Sequence, residues 1–392
     1  MTIALHTQDD TPVVHLVDAI IRKAIAHAAS DVHFQSTDNQ LRVRYRIDGM
    51  LYDQRGIDKT RAQQVLSRLK VLAHLDVTEK RIPQDGKFRM QVDQQPVELR
   101  VSTFPTLHGE KIVVRILDRT QTKIDLDHLG LHEDMLRSFK QLLSCASGFF
   151  LVTGPTGSGK TTTLYAGLSM LNSPEKNIIT LEDPVEYNVH GITQGQIHPE
   201  AGFTFEKGIR AILRQDPDIV MVGEIRDRQT AQIAIEAALT GHVVVSTLHT
   251  NDAPSVIMRL MDMGIEPFLL NAALSGVLAQ RLARKICTQC RIPYEPDHEE
   301  RLLLKRFALD IPHVYKGQGC DMCLNLGHKG RIGIFELLEP SVALRSLIMQ
   351  QPAWDTVYNQ ACADGMMTLA QDGARKVAQG VITLTELARV LA

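Results

Sequence analysis

Residues Leu151–Thr163 read LVTGPTGSGKTTT and contain the pattern G-x-x-x-x-G-K-[ST] of a phosphate-binding loop, between an apolar strand pattern and a helical pattern. Glycines let backbone N–H groups close on phosphates, and the positive end of the next helix faces them. We therefore predict a nucleotide site in which Lys160 contacts the β- and γ-phosphates and the Thr161 hydroxyl binds Mg²⁺. The predicted phosphate-binding residues are Gly154, Pro155, Thr156, Gly157, Ser158, Gly159, Lys160, Thr161 and Thr162. A glycine turn without a ligand is the alternative.

Outward from this loop, four short apolar runs are each followed by a helical pattern. The runs are GFFLVTG, NIITLED, DIVMVGE and HVVVSTL. Near-continuous apolar strands spaced by helices indicate a mostly parallel sheet that is covered on both faces. The predicted fold class of this core is therefore α/β.

The chain before this core has a different pattern. Apolar residues recur at helical spacing from Val14 to Ala28, and Leu41–Asp48 (LRVRYRID) alternates strictly between apolar and polar residues. A second helical pattern runs near Arg61–Leu75, and a hairpin follows with KFRMQV, the turn DQQP and VELRVS. The strand KIVVRIL (Lys111–Leu117) ends this part, which we predict to be an α+β domain.

These patterns divide the chain into six parts, with the hinge between domains placed at the polar, irregular stretch TQTKIDLDHLGLHE. We predict a flexible N-terminus at 1–12, the α+β domain at 13–119, the linker at 120–133, the nucleotide-binding core at 134–283, a cysteine-bearing module at 284–335 and a helical C-terminal subdomain at 336–392.

The composition excludes several classes of protein. The formal net charge of −2 provides no general basic field for nucleic acid or an acidic membrane surface. No apolar run approaches the roughly 18–20 residues that span a bilayer. The N-terminus also lacks the charged start and apolar core of a signal peptide. We therefore expect a cytosolic protein without a transmembrane segment that reaches membranes only through partners.

Carboxylates follow two of the predicted strands. Glu182 and Asp183 end the run IITLED, and Glu224 ends the run VMVGE. Ligands of such sheets gather beyond the carboxyl ends of the strands. We therefore predict that Glu224 organises Mg²⁺ and that Glu182 activates or orients the attacking water. The alternative for these acids is that they cap the helices that follow.

Two histidines, His242 and His249, flank the fourth apolar run. The position of His249 at the end of a strand suits a sensor of the γ-phosphate. Histidines that only pack inside the fold are the alternative for both residues, so spacing alone leaves the question open.

Four cysteines form the pattern C-x₂-C-x₂₉-C-x₂-C and are Cys287, Cys290, Cys320 and Cys323. Two such pairs in a reducing compartment predict a tetrahedral Zn²⁺ site. Four thiolates leave no open coordination position, so the predicted zinc is structural. Unrelated thiols or a redox pair are the alternatives. Cys145 and Cys362 have no partner motif, and we expect both to be buried.

Arg100 in VELRVST and Arg115 in KIVVRIL lie on predicted strands of the first domain. A charge on a strand usually belongs to a solvated face. However, the first three strands of the core contain no obvious arginine for the phosphates, and many such ATPases receive one from another module or subunit. Both arginines are therefore candidates for neutralising transition-state charge.

Several motifs in fixed order resemble those of the secretion ATPase family that powers type II secretion and type IV pilus assembly. In the core these motifs are GPTGSGKTTTLY, LEDPVEY, RAILRQDPDIVMVGEIRD, LTGHVVVSTLHTN, MGIEPFLL and GVLAQRLAR. In the first domain they are ASDVHF, RYRIDG, KRIPQDGKF and LRVSTFPTLHGEKIVVRIL. The likeness runs from about residue 14 to the end of the chain.

The resemblance implies a RecA-like P-loop core preceded by an α+β, PAS-like domain, with a zinc-binding insert and a helical C-terminal subdomain. It implies a cytoplasmic homohexamer that hydrolyses ATP with Mg²⁺ and drives the assembly of pilin or pseudopilin fibres. The ring would act through an inner-membrane platform protein and associate with that membrane peripherally. About a dozen residues precede the first domain, so the extra N-terminal domain of many members is expected to be absent.

The resemblance also implies roles for individual residues. Glu182 would be the general base and Glu224 the acid that organises Mg²⁺, while His249 and His242 match the histidine box. Arg100 and Arg115 match the arginines that reach the phosphates.

Two other functions remain as alternatives. A ring motor that translocates nucleic acid could use the basic residues Arg281, Arg284, Lys285 and Arg291, although no aromatic and basic stacking surface accompanies them. A nucleotide-dependent scaffold that is held by zinc and does not hydrolyse ATP is the second alternative.

Overall fold

The computed structural model describes residues 12–117 and 125–392, and the chain divides into two compact units, Met1–Thr122 and Lys123–Ala392. Of the predicted N-terminus, residues 1–11 lie outside the described part of the chain, and so do residues 120–124 of the predicted linker. None of the helices within 12–117 and 125–392 combines the length and hydropathy that a bilayer crossing requires.

Within residues 12–117, the first unit consists of a sheet with two helices. In chain order its elements are α1 (Val13–Ala26), β1 (Ala29–Ser36), β2 (Gln40–Ile47), β3 (Met50–Asp53), β4 (Ile57–Asp58), α2 (Lys59–Leu72), β5 (Gln84–Val92), β6 (Gln95–Thr106) and β7 (Gly109–Leu117). The strand order is β3-β2-β1-β7-β6-β5, with β4 beside β2, and all neighbours are antiparallel. The predicted α+β architecture is confirmed.

The alternating sequence of β2 explains the two faces of this sheet. The apolar residues Leu41, Val43, Tyr45 and Ile47 are buried, whereas the arginines between them are partly exposed. The buried hydroxyl of Tyr45 donates to the carbonyl oxygen of Ile20 at 2.7 Å, so this polar group has a partner inside the core. The helices therefore cover one face, and the other carries the basic side chains.

The hairpin after α2 is tighter than its sequence predicted. The turn consists of Asp93 and Gln94 alone, instead of the four predicted residues DQQP. These two residues adopt positive φ angles of 49° and 65°. Two residues with positive φ form the turn that matches the twist of antiparallel strands. The second strand therefore begins at Gln95 instead of Val97.

The second unit contains the predicted core. In chain order its elements are α3 (Glu133–Leu143), β8 (Gly148–Thr153), α4 (Lys160–Leu171), β9 (Ile178–Glu182), β10 (Thr193–Gln196), α5 (Phe205–Ile212), β11 (Ile219–Val222), α6 (Arg228–Leu239), β12 (Val243–Leu248), α7 (Pro254–Asp262), α8 (Pro267–Ala273), β13 (Leu274–Ile286), β14 (Arg291–Tyr294), α9 (His298–Arg306), β15 (Val314–Gly317), β16 (His328–Leu338), α10 (Val342–Ile348), α11 (Trp354–Ala363), α12 (Leu369–Ala378) and α13 (Leu384–Val390).

The main sheet of this unit has the order β10-β9-β11-β12-β8-β13-β16. Every neighbouring pair is parallel except β13 with β16. In β8, Phe149 and Leu151 belong to one buried cluster, and Phe150 and Val152 belong to another. Apolar cores therefore lie on both faces, which is why these strands are continuously apolar. The predicted mostly parallel α/β core is confirmed.

The second half of the predicted linker is part of this unit. Leu126 is 2% exposed, and the carbonyl oxygen of Leu129 accepts a hydrogen bond from the backbone N–H of Gly333 at 3.0 Å. Residues 125–133 therefore pack with the second unit, and a hinge within the rest of the predicted linker stays a prediction. The apolar residues Leu126, Leu129 and Leu131, which are spaced among polar ones, pack against the core.

The predicted boundaries of the cysteine module also change. β13 extends to Ile286, and β16 returns to pair with it. Residues 287–327 are therefore an excursion between two paired strands, which contains α9 and the pair β14–β15. Residues 336–338, assigned to the helical subdomain, end the strand β16. Cys145 is exposed, contrary to expectation, because it lies in the turn between α3 and β8.

Candidate functional site

The phosphate-loop pattern occupies the connection from β8 to α4. β8 ends at Thr153 and α4 begins at Lys160, so the loop consists of residues 154–159. Gly157 and Gly159 have φ angles of 79° and 89°, which residues with a Cβ rarely adopt. The glycines of the motif are therefore required by the backbone conformation of the loop.

The side chain of Lys160 turns back into this loop. It is 9% exposed, and its Nζ donates to the carbonyl oxygens of Gly154 at 2.8 Å and Pro155 at 3.1 Å. Burial lowers the pKa of Lys160 to about 8, while the carboxylate of Glu224 opposes this shift. A phosphate in the loop would offer this ammonium group an anionic acceptor in place of two neutral carbonyls.

Two of the predicted catalytic residues lie beside Lys160. The Nδ1 of His249 is 3.5 Å from the Nζ of Lys160, and its Nε2 is 3.4 Å from the Oε2 of Glu224. Lys160, Glu224 and His249 follow β8, β11 and β12, which are parallel neighbours whose carboxyl ends meet at one edge of the sheet. The structure thus brings these three residues together at the position where ligands of parallel sheets bind.

Arg226 and Asp183 extend this cluster. Arg226 forms an ion pair with Glu224, and its Nη2 is 3.6 Å from the Oδ2 of Asp183. Sequence reasoning did not name Arg226, although its position two residues after Glu224 was a signal. The guanidinium group neutralises part of the charge of two neighbouring carboxylates.

The residue types present fit a magnesium ion. Thr161 is the second residue of α4 and is partly buried, and Thr162 follows it in the first helical turn. A threonine hydroxyl and the carboxylate of Glu224 are hard oxygen ligands, which Mg²⁺ prefers.

Glu182 has a different environment from the one predicted. It ends β9, is 2% exposed, and accepts hydrogen bonds from Tyr165, from the Oγ1 of Thr180 at 2.5 Å and from the Nε2 of Gln194 at 3.2 Å. Successive residues of a strand point to opposite faces, so Glu182 turns into the core while Asp183 reaches Arg226. In this conformation Glu182 is enclosed and cannot contact a water molecule at the loop.

His242 does not share the site of His249. It precedes β12, and its Nδ1 is 2.9 Å from the carbonyl oxygen of Ala237. In the pairing of β12 with β8, Leu248 lies opposite Thr153, the last residue of β8, whereas His242 precedes the other end of β12. A strand of six residues spans about 20 Å, so the two histidines lie at opposite edges of the sheet. The structure therefore does not bring His242 to the loop of its own chain, and its predicted catalytic role stays a prediction.

Arg100 and Arg115 lie in the first unit, on the sheet face that carries the β2 arginines. In the sheet, Arg115 of β7 lies opposite Arg100 of β6 and opposite Asp31 of β1. Asp31 in turn lies opposite Arg46 of β2. The Nε of Arg115 donates to the Oδ1 of buried Asp31 at 2.9 Å, while 66% of the Arg115 side chain is exposed. Asp31 therefore pairs with two of the cations on this face, Arg115 and Arg46.

Three of the four basic residues proposed for nucleic acid have partners within the second unit. Arg284 forms an ion pair with Glu386, and Arg291 donates to the carbonyl oxygen of Gly380 and lies over the ring of Tyr315. Arg281 donates to the carbonyl oxygen of Asn251 at 2.7 Å and lies near enough to Lys160 to lower its pKa. The cluster thus gives no support to a nucleic-acid motor.

The four cysteines of the pattern converge. Their Sγ atoms all lie within 4.8 Å of one another, and three of the distances are 3.8 Å (Cys287–Cys320), 3.9 Å (Cys290–Cys323) and 3.7 Å (Cys320–Cys323). Four thiolates around Zn²⁺ at 2.3 Å form a tetrahedron with an edge of about 3.8 Å. The arrangement therefore has the dimensions of a zinc site.

Known proteins are similar to this chain over most of its length. A family model described as "Type II/IV secretion system protein" matches residues 6–389. The chain is 46% identical over 386 residues to the type II secretion system ATPase E of Vibrio cholerae, covering 98% of this chain and 76% of that protein. It is 44% identical over 383 residues to the type IV pilus assembly ATPase PilB of Myxococcus xanthus, covering 97% of this chain and 68% of that protein.

Solved structures show the same fold. The Legionella pneumophila ATPase DotB has a TM-score of 0.72 at 19% identity and covers 100% of this chain and 98% of its own. The pilus retraction motor PilT with bound ADP has a TM-score of 0.62 at 26% identity and covers 95% of each chain.

Proposed function

The chain belongs to the family of type II/IV secretion system proteins, and from this membership we propose the parts that its residues play in an ATP-driven motor. Like its named relatives, it is an ATPase of protein secretion or pilus assembly. The observation that carries the residue assignments is the contact of Lys160, His249 and Glu224 at the carboxyl ends of β8, β12 and β11.

ATP is the substrate of the proposed site. Backbone N–H groups of residues 154–161 and the ammonium group of Lys160 bind its phosphates. Thr161 and Glu224 hold Mg²⁺, which would neutralise negative charge on the phosphates. His249, which contacts both Lys160 and Glu224, is placed to sense the γ-phosphate.

Arg100 and Arg115 supply positive charge from the first unit. An arginine that reaches the phosphates only in one arrangement of the domains couples binding and hydrolysis to movement. The support for this proposal is that the side chain of Arg115 is 66% exposed and that its Nε donates to the carboxylate of Asp31. Closure on ATP and release after hydrolysis would then be the working stroke.

We propose that Glu182 is the base for the attacking water. It would act in a side-chain conformation different from the one in this structure. Its carboxylate must leave the hydroxyl of Tyr165 and the amide of Gln194 before it can accept a proton from water. The base would therefore be withdrawn when the site is at rest.

We also propose the metal site, the oligomeric state and the membrane partner of this protein. The four cysteines hold a structural Zn²⁺, the chain assembles as a homohexamer in the cytoplasm, and the ring acts on an inner-membrane platform protein to drive pilin or pseudopilin assembly. The proposal for zinc is supported by the convergence of the four Sγ atoms.

The ATPase activity of the purified full chain tests the site. Lys160→Ala should abolish nucleotide binding, and Glu224→Gln should lower kcat at least about 100-fold while ADP still binds. The control Lys176→Ala changes an exposed lysine between α4 and β9 and should leave both quantities unchanged. Activity of wild-type magnitude in Glu224→Gln would disprove the assignment.

A further inference from the structure

The phosphate loop packs against a buried side chain of a neighbouring strand, Gln280 of β13. β13 pairs in parallel with β8, and the register sets Ala279 opposite Thr153, the last residue before the loop. Gln280 is therefore level with Gly154, and it is 1% exposed. Its Nε2 donates to the carbonyl oxygen of Ser158 at 2.6 Å. One amide thus connects the loop to the sheet.

The contact extends to both ends of the loop. A Cβ on Gly154 would lie 2.4 Å from the carbonyl oxygen of Gln280, and a Cβ on Gly159 would lie 3.2 Å from its Nε2. The loop therefore lies directly on Gln280, and two of its glycines make that approach possible. No side chain other than glycine fits at Gly154 without moving the strand.

The hydrogen bond determines the direction of one peptide group. In a trans peptide the C=O and the following N–H point in opposite directions. The C=O of Ser158 points at the Gln280 amide, so the N–H of Gly159 points away from it. Gly159 has a φ of 89°, and a peptide next to glycine can turn over at low steric cost. A turned peptide would present an oxygen, not an N–H, on the opposite side.

Two other loop carbonyls accept hydrogen bonds from a different side chain. The carbonyl oxygens of Gly154 and Pro155 accept from the Nζ of Lys160, which is also the group that binds phosphate in the proposed function. The bond from Gln280 to Ser158 uses no group that ligand binding requires. It is therefore the contact that can persist when Lys160 turns to a phosphate.

We propose that Gln280 is a positioning residue for the reaction and holds the Ser158–Gly159 peptide with its N–H towards the phosphates. This inference rests on the proposed phosphate-binding function of residues 154–161. Gln280 acts through the loop and touches neither substrate nor metal. Losing its donor lets the peptide turn, which replaces an attractive N–H contact to phosphate with a repulsive carbonyl.

Binding of ADP to the full chain, measured by titration calorimetry, tests this inference. Gln280→Met fills the same space without a donor and should weaken ADP binding at least about tenfold. The matched control Gln232→Met removes a glutamine amide from the surface of α6, where it bonds Glu236, and should bind ADP like the wild type. ADP binding by Gln280→Met within twofold of the wild type would overturn the inference.

A second variant separates peptide orientation from a general loss of stability. In Gln280→Glu the introduced carboxyl donates to Ser158 when protonated and repels its carbonyl when ionised. The ADP affinity of this variant should be closer to that of the wild type at pH 6 than at pH 9, and that of Gln280→Met should be low at both. Equal weakening of Gln280→Glu at both pH values would overturn the inference. Failure of the wild type itself to bind ADP would instead refute the proposed function.

Discussion

We predict that Glu336 makes the stability of the second unit depend on pH, and replacing it by glutamine would measure the effect. Glu336 lies in β16 and is 2% exposed. Its two oxygens accept hydrogen bonds from the backbone N–H groups of Ala253 at 2.8 Å and Leu369 at 3.3 Å. It therefore connects the start of α7 and the start of α12 to the edge of the main sheet.

Burial raises the pKa of Glu336 from 4.5 to about 7. The folded state thus binds a proton at Glu336 more tightly than the unfolded state. The stabilisation that this proton provides is complete below pH 4.5 and is lost as the pH rises through 7. At 1.36 kcal/mol per pKa unit, the difference between a pKa of 4.5 and one of about 7 corresponds to about 3 kcal/mol of stability lost by pH 8. For a unit of this size the loss corresponds to roughly 6 to 12 °C in Tm.

Glu336→Gln carries no charge at any pH and should remove this dependence. Its amide can accept from only one of the two N–H groups, which costs about 1–3 kcal/mol at every pH. The difference in unfolding free energy between variant and wild type should therefore move by about 2.5 kcal/mol in favour of the variant from pH 5 to pH 8.

The assay is denaturant unfolding of the full chain at several pH values. The unfolding free energy is taken from the transition of the second unit. The control Glu206→Gln removes a carboxylate from the surface of α5, where it pairs with Arg210, and its difference from the wild type should stay constant within about 0.5 kcal/mol. Parallel pH profiles for Glu336→Gln and the wild type would refute the reasoning.

Three further predictions concern the proposed function. Cys320→Ser, or a zinc chelator, should release one equivalent of metal and lower the Tm of the second unit, while nucleotide binding by the core persists. Protein purified without stoichiometric metal would contradict the zinc site. Arg115→Ala should lower the ATPase rate of the assembled ring at least about tenfold, whereas an unchanged rate would remove this arginine from the mechanism. Glu182→Gln should lower kcat at least about 100-fold with ADP affinity intact if Glu182 is the base; a fall in Tm with kcat unchanged would show that it serves only the core.

Local sequence was sufficient for the phosphate loop and the strands of the core. The loop needs glycines at positive φ between a strand and a helix, and those requirements lie within one short stretch. The strands are continuously apolar because both of their faces are covered, which the sequence shows directly. The four cysteines were likewise recognisable, since metal-ligand spacing is a local pattern.

The orientation of individual side chains needed the structure. Glu182 and Asp183 are adjacent at the end of one strand, yet one turns into the core and the other reaches Arg226. Nothing in the spacing distinguishes them, because the choice depends on which face of the sheet holds Tyr165 and Gln194. His242 and His249 are close in sequence but lie at opposite ends of β12.

By itself, the sequence determined a P-loop α/β core, an α+β domain before it and a four-cysteine site, because each depends on residue types at short spacing. The tertiary structure alone decided that β13 lies beside β8. That pairing brings Gln280 against a loop more than a hundred residues away and sets Arg281 near Lys160. Strand order is a property of packing over the whole chain, and no local pattern contains it.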